Sequence, residues 1–468
     1  MADYGKMKAE FEANGQDRVF AHWDRLTREE RDELLADCEK VDFAWLAARW
    51  NEFTNGAAGI DLSSLQPAPI VELPRNQAEG GKDRQAIAVG EELLRAGKAA
   101  AFLVAGGQGT RLGFPGPKGC YPLGPVSDKT LFAWHAEQIR ARAARYGKVI
   151  PWYIMTSRDN DAETRRYFTE NGHLGLDPAD VFFFMQDMAP SLDFEGRLML
   201  ASPSRLAMNP NGHGGSLRGL CSSGALADMR ARGIEYIGFF QVDNPLVTIA
   251  DPRFLGWHVL GGAEMSSKVL EKNAPGEKIG VACVLNGKNA VVEYSDLDEA
   301  TMNARDATGR LKFWAGSIAI HIGDVSFVER VGGEALLPWH QARKKVAYFD
   351  GEKTVKPDKE NAVKFETFVF DAIPFAERSV NLEVRREHEF APVKNAVGVD
   401  SAESSRLLLS NYFGEWLAAA GVDVPGGAGR YGEAITIEIS PLYSLDAGEL
   451  ASKVRPGGFL PGRSLLLG

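Results

Sequence analysis

The apolar run Ala99-Ala-Ala-Phe-Leu-Val-Ala105 empties straight into the glycine-rich basic segment Gly106-Gly-Gln-Gly-Thr-Arg-Leu-Gly-Phe-Pro-Gly-Pro-Lys-Gly-Cys-Tyr121. A run this short and this apolar reads as a strand buried on both faces, which is how strands of parallel sheets look. A helical pattern near Thr130–Arg145 and a second strand at Val149–Met155 complete a βαβ unit. Such a unit commits the chain to an α/β fold with helices flanking a sheet. Further strands are expected at Val181–Met185 and Tyr236–Val242. Beyond about residue 264 they become less regular, at Met265–Leu270, Ile279–Leu285, Ala290–Tyr294 and Phe313–His321, so the sheet is expected to be mixed.

Gly106, Gly107 and Gly109 lack a Cβ, so the backbone there can turn sharply and aim several N–H donors to one side, toward an anion. Arg111 and Lys118 add positive charge. Two familiar glycine motifs are excluded. A Walker loop needs G-x-x-x-x-G-K-[ST], but Lys118 lies between Pro117 and Gly119. A dinucleotide fingerprint needs G-x-G-x-x-G, but after Gly107-Gln-Gly109 the next glycine is Gly113. A phosphate-binding loop of another kind remains, alongside an ordinary turn.

The 468 residues exceed what one growing core accommodates, and three regions are expected: a helical one over 1–97, a catalytic α/β domain over 98–395 and a small C-terminal domain over 396–468. Thr27-Arg-Glu-Glu30 forms a capping box ahead of Leu34, Leu35 and Cys38. Phe43, Leu46, Trp50 and Phe53 recur at helical spacing, segment 56–81 reads as a loop, and Asp83–Arg95 reads as a helix. In the tail a helix is expected around Ser405–Ala419 and a short β pattern at Glu433–Ile439.

The net charge of −10 argues against a nucleic-acid partner, because duplex binding needs a broad basic face. Four widely spaced cysteines form neither a zinc knuckle nor a disulfide framework. No apolar run is long enough to span a membrane, and a cytoplasmic location is expected.

Four other clusters carry chemistry. Asn209-Pro-Asn-Gly-His-Gly-Gly-Ser-Leu-Arg218 is a second glycine-rich turn, in which Gly212 exposes backbone donors and His213 either donates to a phosphate or sugar oxygen or faces solvent. Gln241-Val-Asp-Asn244 follows a strand, so Asp243 is placed to share magnesium with nucleotide phosphates, since magnesium takes few protein ligands. A helix cap is the competing role for Asp243 or Asn244. Glu293 can accept from sugar hydroxyls, whereas Asp296 and Asp298 read as solvated acids. Lys394, in Glu389-Phe-Ala-Pro-Val-Lys394-Asn395, sits in apolar surroundings suited to a buried phosphate, or else on the surface.

The ordered set of Leu103-Val-Ala-Gly-Gly-Gln-Gly-Thr-Arg-Leu-Gly113, Pro117-Lys-Gly119, Met208-Asn-Pro-Asn-Gly-His-Gly-Gly215, Val242-Asp-Asn244, Val269-Leu-Glu-Lys272, Val291-Val-Glu-Tyr-Ser295 and Phe368-Val-Phe-Asp371 resembles the eukaryotic-type UDP-sugar pyrophosphorylases, over roughly residues 20–400. Within them it looks most like the branch that takes N-acetylglucosamine 1-phosphate. The resemblance implies a Rossmann-like nucleotide-diphospho-sugar transferase (GT-A-like) mixed sheet. It also implies uridylyl transfer from UTP to a sugar 1-phosphate, giving a UDP-sugar and pyrophosphate with Mg2+ required. By the same resemblance Gly106, Gly107, Gln186, Gly212 and His213 would hold the nucleotide, and Arg111 and Lys118 the pyrophosphate portion of UTP. Asp243 would hold the metal, Lys394 a phosphate, and Gly280, Glu293, Ser317 and Asn244 the sugar.

Two positions depart from the acetamido-sugar pattern, His213 and Ser317, each where those members usually carry Asn. N-acetylglucosamine 1-phosphate is the expected acceptor, with glucose 1-phosphate the alternative. A UDP-sugar-dependent glycosyltransferase is a further rival, but Asp296-Leu-Asp298, which fits its usual D-x-D, follows a polar stretch, and the stronger strand end carries Asp243-Asn244. A sugar phosphate is already a dianion, so its attack needs no general base, consistent with the lack of any Ser-His-Asp set.

Overall fold

The computed structural model describes residues 3–56, 60–458 and 462–468. The chain forms two compact units, each assembled from three segments. One comprises residues 1–60, 186–216 and 336–371, the other residues 61–185, 217–335 and 372–468.

In the smaller unit, α1 (Tyr4–Ala13), α2 (Arg28–Cys38) and α3 (Phe43–Asn55) gather an apolar core around Phe11, Leu34, Leu46 and Phe365. The expected capping box is present: the Thr27 hydroxyl accepts from the Glu30 amide while the Glu30 carboxylate accepts from the Thr27 amide. Short antiparallel ladders supply the rest, including His340–Lys344 against Ala362–Glu366. Two buried polar side chains tie the segments together. Asp37 receives the Arg205 guanidinium at 2.7 Å, and Gln16 bonds Gly196 O and Leu198 N.

The larger unit is built on a mixed sheet of eleven strands among the described residues. Its main strands are β1 (Ala99–Val104), β2 (Trp152–Thr156), β3 (Val181–Met185), β4 (Tyr236–Gln241), β5 (Met265–Glu271), β6 (Val281–Leu285), β7 (Lys288–Val292), β8 (Ala315–Asp324) and β9 (Ser379–Glu383). Strands β4, β1, β2 and β3 run parallel in that order, and β9 runs parallel to β5. β8 lies antiparallel between β4 and β5, which makes the sheet mixed as expected. The β6–β7 hairpin hangs from β8 through the pair Val281↔Gly316.

Helix α4 (Gln77–Arg95) precedes β1, and α5 (Leu131–Tyr146) makes the crossover from β1 to β2. Alternation along β1 serves both faces of the sheet. Ala99, Ala101 and Leu103 join Phe132 and Ile139 of α5, while Phe102 faces the other way onto Phe184 and Phe239. Helix α6 (Pro252–Leu260) crosses α4 with backbone against backbone. A Cβ at Gly90 would overlap the Pro252 carbonyl, and one at Gly256 would overlap the Ala86 carbonyl. Helix α7 (Ala402–Ala419) and the parallel pair Thr436–Ile439 with Ser464–Leu467 complete this unit.

Opposite Lys268 of β5, β8 bulges. The register skips from Ser267↔His321 to Val269↔Ser317, and Ala319 takes a left-handed φ of 55°. The fully buried Lys268 ammonium sits 2.7 Å from both Asp251 and Glu389. Burial alone would lower its pKa, but the two carboxylates outweigh that and raise it. The four cysteines are free thiols. Among the described residues no helix is long and apolar enough to cross a membrane.

Candidate active site

In α/β sheets of this kind ligands sit beyond the carboxyl ends of the strands. The register puts two candidate loops there side by side. Val104 pairs with Gln241, and the Val242 amide donates to Val104 O at 3.2 Å, so the glycine loop leaving β1 and the Asp243 turn leaving β4 emerge as neighbours.

The glycine loop folds back on itself: Lys118 N donates to Gly107 O and Gly109 N to Gly116 O, at 3.1 and 2.8 Å. A Cβ at Gly107 would meet no atom within 4 Å, so protein packing does not demand glycine there, and open space lies in front of that backbone. Arg111, exposed on the short turn Thr110–Leu112, forms no ion pair among the described residues. Lys118 reaches back so that its ammonium lies 3.4 Å from an Asp243 carboxylate oxygen, and both side chains are largely buried.

Asn160 supports this loop and was not singled out in the sequence. It is 1% exposed; its Nδ2 donates to Ala105 O at 2.8 Å and Gly107 O at 3.3 Å, and its Oδ1 accepts from Ser157 N. The only local signal is Ser157-x-x-Asn160 at a strand end, which is also the pattern of any polar turn.

Lys394 comes from an irregular segment after β9. Its ammonium lies 5.5 Å from the Phe390 ring centre, and the neighbouring Val393 N donates to Asp243 O at 2.8 Å. Asp400 feels both groups: burial raises its carboxyl pKa, Lys394 opposes the rise and Asp243 adds to it. Asn244, offered to the sugar by the resemblance, has its carboxamide bonded to Glu389 O and Ala391 N.

Gly280, Glu293 and Ser317 are brought together where β6, β7 and β8 meet. Ser317 N donates to Gly280 O at 2.8 Å, and a Cβ on Gly280 would lie 3.6 Å from Glu293 Oε1. Asp298, half of the D-x-D alternative, caps the short helix Glu299–Asn303.

Gln186, Gly212 and His213 belong to the smaller unit and form a second cluster. Gln186 Nε2 donates to Gly212 O and, at 3.3 Å, to Asn211 Oδ1. Gly212 has φ of 83°, and a Cβ there would press on Thr367 O, so both backbone shape and space call for glycine. His213 stacks on Phe368 with ring centres 5.3 Å apart, and its Nδ1 accepts from Val369 N at 3.1 Å. That bond fixes the neutral tautomer with the proton on Nε2.

Burial, reinforced by nearby His340, pushes the His213 pKa down to about 4. Burial does the same for His135, whose Nε2 contacts Val242 O. Between pH 6.5 and about 4 the unfolded chain holds protons on these rings that the folded chain refuses, so acidification through that window destabilises the fold. Ring resonances of His213 and His135, followed by NMR, are expected to stay unshifted from pH 8 to 5.5; a midpoint near 6.5 for either would contradict this account.

The family model described as UTP–glucose-1-phosphate uridylyltransferase matches residues 52–413. Over 464 residues the chain is 38% identical to UDP-N-acetylhexosamine pyrophosphorylase-like protein 1 of Xenopus tropicalis, covering 92% of this chain and 90% of that protein. UDP-N-acetylglucosamine diphosphorylase 1 of Arabidopsis thaliana is 36% identical over 454 residues, with 93% and 88% covered. Among solved structures, the uridine diphosphate N-acetylglucosamine pyrophosphorylase of Trypanosoma brucei, crystallised with an inhibitor, superposes with a TM-score of 0.84 at 28% identity, covering 100% of this chain and 98% of that one. With a glycine loop and an acidic turn side by side at the strand ends, and with likeness of this extent, the chain belongs to the UTP–glucose-1-phosphate uridylyltransferase family, whose members include UDP-sugar pyrophosphorylases.

Proposed function

We propose that this protein joins UTP to a sugar 1-phosphate, N-acetylglucosamine 1-phosphate foremost, and releases pyrophosphate. The observation that carries this reading is the Lys118–Asp243 pair beside a glycine loop with open space in front of it. An ammonium, a carboxylate and a glycine loop with open space before it, at adjoining strand ends, suit a polyphosphate and its counter-cation. The names of the acetamido-sugar relatives support the acceptor.

In the proposed reaction an oxygen of the sugar phosphate bonds to the α-phosphorus of UTP. The bond from that phosphorus to the β-bridging oxygen breaks, and pyrophosphate leaves with the electron pair. Both reactants are anionic, so the protein's task is alignment and neutralisation of charge rather than proton transfer. Arg111 and Lys118 would take the leaving pyrophosphate, and Lys394 the incoming phosphate. Gly106 and Gly107 would serve the nucleotide, and Gly280, Glu293 and Ser317 the sugar.

Among the described residues no three His, Cys, Asp or Glu side chains cluster as a ready metal cage. A lone Asp243 carboxylate fits magnesium, which keeps several waters and takes phosphate oxygens. Held by Asp243, the ion would neutralise charge shared among those oxygens. The free thiols and the nucleotide substrate favour a cytoplasmic location.

Pyrophosphate release from UTP, magnesium and each sugar 1-phosphate tests the reading. N-acetylglucosamine 1-phosphate is expected to give the higher kcat/KM. A preference for glucose 1-phosphate would reassign the acceptor, in keeping with His213 and Ser317. Silence with every acceptor would refute uridylyl transfer.

A further inference from the structure

Residues Phe390–Val393, which deliver Lys394, belong to no helix or strand, and Pro392 has no N–H to give. A buried stretch of irregular backbone must find partners for its amides and carbonyls elsewhere. The turn carrying Asp243 supplies acceptors for two of its amides, Ala391 N and Val393 N, and a donor for the adjoining Glu389 O. Asn244, 4% exposed, donates from Nδ2 to Glu389 O at 2.7 Å and accepts at Oδ1 from Ala391 N at 3.0 Å. Asp243 O accepts from Val393 N at 2.8 Å. From the other side the Ser405 hydroxyl donates to Ala391 O at 2.7 Å. Asn244 thus works as a spliced-in peptide group, at once donor and acceptor, which neither Asp nor Leu can be at neutral pH.

We infer that Asn244 is a positioning residue, which sets Lys394 against the reacting phosphates by clamping Glu389–Ala391 to the turn that bears Asp243. This rests on the reading above, in which Lys394 meets a phosphate. Because both polar ends of the carboxamide are taken up by backbone, its effect on the reaction runs through Lys394 and not through the sugar.

A double-mutant cycle tests this in the full-length protein, with kcat and both KM values measured alongside a thermal unfolding curve. Lys394→Ala is expected to lower kcat by about 10²-fold. Asn244→Ser is expected to lower it on the order of 10-fold, the scale of outer-shell support, with KM for UTP unchanged. The double variant is expected to be no slower than Lys394→Ala alone to within about 2-fold, since the clamp has nothing left to position. Multiplying losses would overturn the inference. So would a changed preference between N-acetylglucosamine 1-phosphate and glucose 1-phosphate in Asn244→Ser, the mark of a direct sugar contact. An undiminished Lys394→Ala would instead strike down the reading of Lys394, and the inference with it. Should Asn244→Ser not fold, Ser405→Ala, which removes another tether of the same segment, enters the cycle with the same expectation.

Discussion

Replacing Asp243 with asparagine is expected to lower kcat by roughly 10²- to 10³-fold and to remove most of the stimulation of rate by magnesium. The substitution keeps shape and volume but takes away the charge. The Asp243 side chain is largely buried in a loop beyond β4, where its carboxylate faces the Lys118 ammonium at 3.4 Å. The amide oxygen of the replacement still faces Lys118, so stability is expected to fall by about 1–3 kcal/mol without loss of the fold. The measurement is a magnesium titration of pyrophosphate release, with a urea unfolding curve beside it. Wild-type turnover with an unaltered magnesium response would remove Asp243 from the chemistry.

The largest expected effect on stability lies at Lys268. Its ammonium is fully buried and balances Asp251 and Glu389, each at 2.7 Å. Lys268→Met leaves two carboxylates without their shared cation, and breaking such a buried set costs about 3–5 kcal/mol. In the wild type, burial would raise the Asp251 pKa, but Lys268 and nearby arginines prevail and lower it. That contribution is present above the ordinary carboxyl value and is lost as pH falls through the lowered one. In Lys268→Met the strongest influence lowering the Asp251 pKa is gone, so burial is opposed by Arg142 and Arg253 alone, and protonation relieves the stranded charge. The deficit against wild type, read from urea midpoints, is expected to shrink between pH 7 and 5. A loss below about 1 kcal/mol, or one independent of pH, would show that the cluster is not under this electrostatic control.

Much of this architecture was legible because its signals are local. The strand Ala99–Val104, the crossover helix Leu131–Tyr146 and the Thr27 capping box each depend on a few adjacent residues. Where glycines intervened the reading erred. Segment 56–81 reads as a loop, yet Asn76 caps a helix that begins at Gln77 and runs through Gly80 and Gly81. Strand β9 escaped notice although Ser379-Val-Asn-Leu-Glu383 alternates polar with apolar, because so short a run with only two apolar residues also suits a loop, and only pairing with β5 fixes it. The two compact units interleave three segments each, and no shift in composition marks where the chain passes from one to the other.

At the site, residue types with one characteristic use were readable: glycines in a loop, a lysine beside them, an aspartate at a strand end. Asn160 and Asn244 were harder, because each reveals its role through the carbonyls its Nδ2 meets, and those lie 53 and 145 or more residues away. Ser317, Glu293 and Gly280 share a corner only because the β6–β7 hairpin folds onto β8.

The crossing of α4 and α6 at Gly90 and Gly256 resembles a dovetail joint, in which neither notch tolerates filling. Asp251 caps the second of those helices and also faces Lys268, so the joint governs where that carboxylate lies. A single added methyl at either notch would wedge the helices apart and tilt Asp251 off its cation. Tolerance to genetic drift in this enzyme is therefore narrow at two residues that belong to neither candidate cluster.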